Sequence, residues 1–140
     1  MIVPEKFIYK PLYPQKWDSH NKEMYAWEGD KIVLATIHNK LDKVIMTNFI
    51  SKLEDGGKLY SDLMSKIPEP SDSDFKNKVV IAALNDPKLT CGHGCGVIAN
   101  NGIEVCGFYA NDYSQFQSNN KMFSHYYFYE MGRNYYLFQK

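Results

Sequence analysis

The run Lys78-Val79-Val80-Ile81-Ala82-Ala83-Leu84-Asn85 decides how the rest of this sequence is interpreted. Its six consecutive apolar residues, rich in β-branched side chains and bounded by polar ones, are typical of a buried strand. The run is far shorter than the ~20 apolar residues that cross a bilayer as a helix. The sequence therefore predicts a strand over residues 78–85 in a soluble chain without a membrane span.

A second strand and a long helix are predicted upstream of this run. Residues 30–37 form a short β-branched segment, which predicts another strand. Asn39 is the predicted helix cap and Asp42 falls in the first turn, so a helix is expected over residues 39–67. Gly56-Gly57 either breaks this helix or marks the close approach of another backbone, and we favour the close approach. The apolar positions that recur at the helical period are Leu41, Ile45, Phe49, Leu53, Tyr60, Leu63 and Ile67.

Downstream of the central run, the sequence predicts a turn, a hairpin, a loop and a helix. Residues 90–96 are rich in glycine and predict a tight turn. Residues 97–105 read as a hairpin that reverses at Asn100-Asn101-Gly102. Residues 111–121 are polar and predict a loop, and a final helix is expected over residues 121–138. The predicted order is therefore strand, long helix, strand, hairpin, helix.

Size and charge restrict the class of protein. With 140 residues the chain is expected to be one domain, in which residues 1–30 form an irregular or short-stranded lead-in. A fragment cut after the last helix is an alternative. Sixteen basic residues balance sixteen acidic ones, which argues against nucleic acid or anionic lipid as a partner. The first residues lack the pattern of a secretory signal. The chain is also rich in aromatic residues, with eleven Tyr, eight Phe and two Trp.

The final predicted helix contains a motif, Tyr129-Glu130-Met131-Gly132-Arg133, with the outline of a zinc-peptidase helix. In the H-E-x-x-H pattern, two histidines on one helical face bind zinc and the glutamate activates the metal-bound water. Together with the order of elements, residues 30 to 138 resemble the gluzincin-like families that include enhancin-type and mucin-degrading peptidases. Their helix reads roughly F-H-E-x-G-H-N-x, and this sequence matches it at Phe128, Glu130, Gly132 and Asn134.

The resemblance implies an α+β, zincin-like fold: a small mixed sheet, a long backing helix and a C-terminal helix of the active-site type. It places Glu130 at the position of the general base, whereas Tyr129 and Arg133 stand where the family has its zinc-binding histidines. An arginine carries a fixed positive charge and donates no lone pair. We therefore expect a degenerate metal site and no cofactor, with zinc as the alternative. A plain ion pair between Glu130 and Arg133 is equally compatible with the spacing.

His125 lies four residues before Tyr129, which places both on the helical face that continues to Arg133. With Glu130 alongside, these side chains form a candidate ligand-binding group. The strand over residues 97–105 is expected to flank the same cleft and to bring His93 into the pocket. The alternative is that His125 is a structural, hydrogen-bonding histidine.

The segment Cys91-Gly92-His93-Gly94-Cys95 offers other chemistry. A disulfide of Cys91 with Cys95, or of Cys95 with Cys106, is favoured if the protein is secreted, and such pairing favours an extracellular location. Metal binding by Cys91, His93 and Cys95 is an alternative, although the spacing is not that of a zinc knuckle. A third possibility is that the cysteines are reduced thiols with a packing role. A fourth is a cysteine nucleophile with His93 as its base.

From these observations we expect a peptidase-like domain that binds a protein or a glycan in the former cleft. The alternatives are a metallopeptidase-like hydrolase with unorthodox ligands and a structural or surface-coat module. Whether the chain is an enzyme is left open by the sequence.

Overall fold

A computed structural model describes residues 1–9, 22–64, 75, 78–84, 94–96 and 103–118. The described strands form one mixed sheet of six, in the order β1-β2-β3-β4-β6-β5. The fold is a mixed α+β one, as predicted. The strands are β1 (Glu5–Tyr9), β2 (Lys22–Glu28), β3 (Ile32–Thr36), β4 (Val79–Leu84), β5 (Gly94–Gly96) and β6 (Ile103–Cys106). The helices are α1 (Lys43–Met64), a π-helical turn (Phe108–Asp112) and α2 (Tyr113–Ser118).

The centre of the sheet is parallel. Strand β4 pairs in parallel with β3 on one side and with β6 on the other, while the outer pairs are antiparallel. Parallel neighbours need a crossover connection, and α1 lies between β3 and β4 in the chain. Every residue of β3 and β4 is buried, which explains their uninterrupted apolar sequences. Both strands predicted from the sequence, over residues 30–37 and 78–85, are confirmed.

Helix α1 begins later than the sequence predicted. Asp42, and not Asn39, is its cap: the Asp42 carboxylate accepts hydrogen bonds from the backbone N–H groups of Val44 (2.9 Å) and Ile45 (3.0 Å). Asn39 is exposed and precedes the helix. The helix continues without a break through Gly56, which is buried. The alternative of a break at the glycine pair is therefore wrong. The favoured alternative, the close approach of another backbone, stays a prediction.

Each face of the sheet carries its own core. Helix α1 covers one face, where Phe49 is 1% exposed and packs edge-on against Phe108 and Phe116, each at 5.2 Å between ring centroids. On the other face, Phe7 and Phe75 pack edge-on at 5.1 Å. The buried residues of this second core are Tyr9, Met24, Ala26, Val33, Ala35, Phe75, Val80, Ala82 and Leu84.

The described part of the first 30 residues, 1–9 and 22–30, contains two strands. Strands β1 and β2 pair antiparallel, with Glu5 opposite Ala26 and Tyr9 opposite Lys22, and β2 continues the sheet onto β3. Where the structure describes this segment, it agrees with the short-stranded form of the prediction; residues 10–21 lie outside the described residues. Periodicity did not distinguish the two forms, because charged residues interrupt the apolar positions of both strands.

The loop predicted over residues 111–121 is wrong where the structure describes it. Residues 108–118 form the π-helical turn and α2, which are anchored by Phe108 (0% exposed) and Phe116 (3% exposed). Because most residues of this segment are polar, the sequence analysis did not identify Phe108 and Phe116 as core residues. The predicted helix over residues 121–138 lies outside the described residues. Among the residues that are described, no helix has the length and apolarity needed to span a bilayer.

An antiparallel pair of strands lies where the hairpin was predicted, and its first described strand precedes residue 97. Strand β5 covers Gly94–Gly96, inside the segment predicted as a tight turn, and pairs antiparallel with β6. Residues 97–102, where the reversal was predicted, lie outside the described residues. Glycine disfavours strands, so its abundance suggested a turn where the chain in fact extends.

Candidate functional site

The structure describes few of the residues that the sequence singled out. Cys95 lies in the middle of β5, and Cys106 ends β6 and is 7% exposed. The register places Cys95 opposite Glu104 and Cys106 opposite Leu84 of β4. The shared pocket, the disulfide and the metal alternative therefore stay predictions. The predicted site residues outside the described ranges are Cys91, His93, His125, Tyr129, Glu130 and Arg133.

Strand β5 is the last strand of the sheet on one side. Within the described part of the chain no strand pairs with its outer edge. The outer edge of a terminal strand is where an extended segment can add by backbone pairing. The opposite edge, β1, carries charged side chains: Lys6 lies 3.5 Å from the carboxylate of Glu23 and 6.0 Å from the ring of Tyr25. Charges of this kind discourage strand addition. Of the two terminal strands among the described residues, β5 is therefore the better candidate for pairing with an added strand.

A buried carboxylate supports this edge. Glu104 of β6 is 0% exposed, and its Oε2 atom accepts a hydrogen bond of 2.7 Å from the hydroxyl of Tyr9. Tyr9 belongs to β1, and β2, β3 and β4 lie between β1 and β6 in the sheet, so this contact is made over the face that carries the second core. Directly in line with Glu104 lie the alanines of the neighbouring strands: Ala82, Ala35 and Ala26. Their short side chains leave room for the tyrosine.

This hydrogen bond helps to hold β6, the strand with which β5 pairs, in position. A carboxylate removed from water is costly unless it is hydrogen-bonded, so the contact with Tyr9 specifies one position for β6. Because Glu104 is the register partner of Cys95, the same contact positions the middle of β5. Sequence reasoning did not single out Glu104. The available signal was a lone acidic residue between the β-branched Ile103 and Val105.

A second polar cluster lies at the carboxyl ends of β3 and β4, where parallel sheets commonly bind ligands. The hydroxyl of Tyr109 bridges the two strands: it donates to the carbonyl of Ala83 (2.6 Å) and accepts from the N–H of Ile37 (2.8 Å). His38 stands against the Tyr109 ring at 5.5 Å. Its Nδ1 atom accepts from the N–H of Lys40 (3.2 Å), so the neutral imidazole carries its proton on Nε2. A single histidine after a strand has no spacing signal, and the sequence did not reveal it.

Replacing Tyr109 with phenylalanine is expected to lower the free energy of unfolding by about 1–3 kcal/mol, because two partly buried backbone groups lose their partner. Tyr113→Phe is the matched control: its hydroxyl accepts one exposed hydrogen bond, from the N–H of Asp42 (3.0 Å), and its loss should cost less. Chemical denaturation of both variants measures the difference. Equal losses would contradict the bridging role of Tyr109.

The stability that the Tyr109 hydroxyl contributes is also expected to depend on pH. Burial raises the pKa of the Tyr109 hydroxyl above its ordinary value of 10.0, while the hydrogen bond from Ile37 opposes the shift. The unfolded chain then loses the proton first, so stability from Tyr109 is present below pH 10.0 and declines above it. The gap in stability between wild type and Tyr109→Phe should narrow as pH rises beyond that value.

An open groove of about 610 Å³ lies beside the first half of α1 and is lined by four acidic side chains and one basic one: Glu28, Asp30, Glu54, Asp55 and Lys78. One of these carboxylates, that of Glu54, has a structural role. The carboxylate of Glu54 accepts the N–H groups of Lys31 (2.9 and 3.0 Å to its two oxygens) and Ile32 (2.9 Å), which joins α1 to the start of β3. These hydrogen bonds hold α1 against the start of β3, and we call them the latch between helix and sheet.

No set of three or more His, Cys, Asp or Glu side chains is placed to hold a metal ion in the ranges that the structure describes. Comparison with protein-family models, with curated proteins and with solved structures finds no match to this chain. The geometry of the described residues therefore defines the candidate site, with β5 as the terminal strand among them.

Proposed function

We propose that this chain is a peptidase-like domain of zincin type, with a degenerate metal site, that binds an extended peptide along β5. The observation that supports the proposal is the position of β5, which is antiparallel to β6 and, among the described strands, lies at the end of the sheet beside the parallel pair β4 and β6. The order of elements, with α1 between two parallel strands and a hairpin after them, agrees with the resemblance that the sequence suggested. A peptide is preferred to a glycan because an edge strand offers backbone pairing.

The expected affinity is low. Strand β5 has three residues, so an added strand forms only a few backbone hydrogen bonds, each contributing about 0.5–1.5 kcal/mol net. Binding of this size corresponds to dissociation constants of roughly micromolar to millimolar once the cost of association is included. Side chains of the ligand must supply any further affinity.

Titration of isotope-labelled protein with the blocked peptide Thr-Val-Thr-Val-Thr is expected to shift the backbone amide signals of Gly94, Cys95 and Gly96. The amides of β1 are the internal control and should stay in place, because charged side chains guard that edge. A neutral oligosaccharide is titrated in parallel. Shifts that avoid β5, or that appear with the oligosaccharide alone, would overturn peptide binding. A response to neither compound favours a structural or surface-coat role.

Purified protein is expected to contain no stoichiometric zinc bound at Tyr129 and Arg133, because neither side chain replaces a neutral imidazole and the arginine repels the cation. Elemental analysis measures this directly. One tightly held zinc per chain that is lost on Glu130→Ala or on His125→Ala would contradict the proposal. That result would favour a metallopeptidase-like hydrolase with unorthodox ligands.

A further inference from the structure

The loop between β3 and α1 is attached to the rest of the fold on both sides of residues 38–41. Before them, the N–H of Ile37 donates a hydrogen bond to the hydroxyl of Tyr109 (2.8 Å). After them, the N–H of Asp42 donates to the hydroxyl of Tyr113 (3.0 Å). Both tyrosines belong to the helical elements that follow β6. A change of conformation in residues 38–41 is therefore confined between two fixed points.

The side chain of His38 closes a turn within this segment. Its Nδ1 atom accepts a hydrogen bond from the N–H of Lys40 (3.2 Å), two residues on, as Asn and Asp side chains do in Asx turns. The carbonyl of His38 accepts from the hydroxyl of Thr36 (2.7 Å), which holds its main chain against the end of β3. Within the part of the chain that the structure describes, Nδ1 is the one acceptor for the Lys40 N–H. The shape of the turn therefore depends on the His38 ring.

This turn requires a neutral imidazole. The Nδ1 atom accepts only while it carries no proton, since both ring nitrogens are donors in the imidazolium form. Protonation therefore sets N–H against N–H between nitrogen atoms that lie 3.2 Å apart in the closed turn. Among side chains, histidine is the type whose charge ordinarily changes between about pH 5 and 8. We infer that His38 is a pH-sensitive switch: its neutral ring closes the turn at Lys40, and its protonation opens the loop between β3 and α1.

The surroundings of His38 act on its charge in opposite directions. Its ring lies 5.5 Å from that of Tyr109, and an aromatic face attracts a cation, whereas the ammonium group of Lys40 disfavours a second positive charge. Burial raises the pKa of Tyr109, so that hydroxyl keeps its proton while a histidine titrates. The described titratable side chains of the loop and of the elements packed against it are His38, Lys40, Asp42, Lys43, Tyr109, Asp112 and Tyr113. Histidine is the one type in this set whose charge ordinarily changes near neutral pH.

The test follows the amide and imidazole NMR signals of isotope-labelled protein between pH 5 and 8. We expect the Lys40 amide to move with the same midpoint as the His38 ring. Its hydrogen exchange, corrected for the intrinsic effect of pH, should be roughly 2- to 12-fold faster with the ring protonated. The amides of Val44 and Ile45 are internal controls, because their acceptor is the Asp42 carboxylate. A Lys40 amide that does not follow the His38 ring, or controls that follow it equally, would overturn the inference.

His38→Asn is the matched variant. The asparagine side chain can accept from the N–H two residues on, as in an Asx turn, but it does not titrate. We expect the Lys40 amide of this variant to keep its position and its protection from pH 5 to 8. His20, His93 and His125 remain in the variant, so any response to them persists. A pH response of Lys40 that survives in His38→Asn would contradict the switch, and if the variant does not fold, the wild-type titration decides the question.

Discussion

Replacing Phe49 with alanine is expected to lower the free energy of unfolding by about 3–5 kcal/mol, the largest effect of any substitution that we propose. Phe49 is 1% exposed and holds two aromatic neighbours edge-on, Phe108 of the π-helical turn and Phe116 of α2. Its removal leaves a cavity where α1, the sheet and the segment after β6 meet. Aromatic pairs of this geometry add about 0.5–1.5 kcal/mol beyond the area that they bury.

Chemical denaturation followed by circular dichroism measures this loss. Val44→Ala on the same helix is the matched control: Val44 is 51% exposed, and its substitution should change stability by about 0.5 kcal/mol or less. The NMR signals of the Phe108 and Phe116 rings should also change position in the Phe49→Ala protein. A loss below about 1 kcal/mol would contradict the packing described for this core.

The second large effect is expected for Glu54→Ala, which should cost about 2–4 kcal/mol. The Glu54 carboxylate is the acceptor for the backbone N–H groups of Lys31 and Ile32, and water can replace it only in part because these groups are partly buried. Asp55→Ala is the control, since Asp55 is exposed and adjacent in the same helix. If both alanine variants lose the same stability, the latch is not the cause.

Gly29 provides an independent check on this latch. A Cβ atom at Gly29 would overlap Oε1 of Glu54 and lie 3.0 Å from the Cγ2 atom of Ile50. Gly29→Ala should therefore destabilise the wild type, yet cost much less in a Glu54→Ala background. A double-mutant cycle should give a coupling energy of about 0.5–3 kcal/mol. Additive losses would show that the glycine is needed for some other reason.

The sequence predicted the centre of the fold well and its margins poorly. Strands β3 and β4 and helix α1 have strong periodic or continuous apolar patterns, and their positions were correct within a few residues. The cap was misplaced because Asn39 and Asp42 are both good capping residues, and the choice depends on the path of the chain after β3. Here the contact of the Asp42 N–H with Tyr113 fixes that path.

The margins were missed because their structure depends on partners far away in the sequence. Residues 108–118 are helical because Phe108 and Phe116 fill space beside Phe49, which no local pattern reveals. Two of the three residues of strand β5 are glycines, which disfavour strands, and pairing with β6 overrides that preference. In the candidate site, the role of Glu104 depends on its hydrogen bond with Tyr9, which lies 95 positions earlier in the chain.

That separation has a consequence for the order of events during synthesis. The hairpin of β1 and β2 is local and can form soon after it leaves the ribosome, whereas the hydroxyl of Tyr9 must wait for a carboxylate made 95 residues later. At about 5–20 residues per second, that delay is roughly 5–20 s. Throughout it, the inner faces of β1 and β2 have no completed sheet to cover them. A nascent chain stalled before β6 should therefore be the form of this protein most dependent on chaperones.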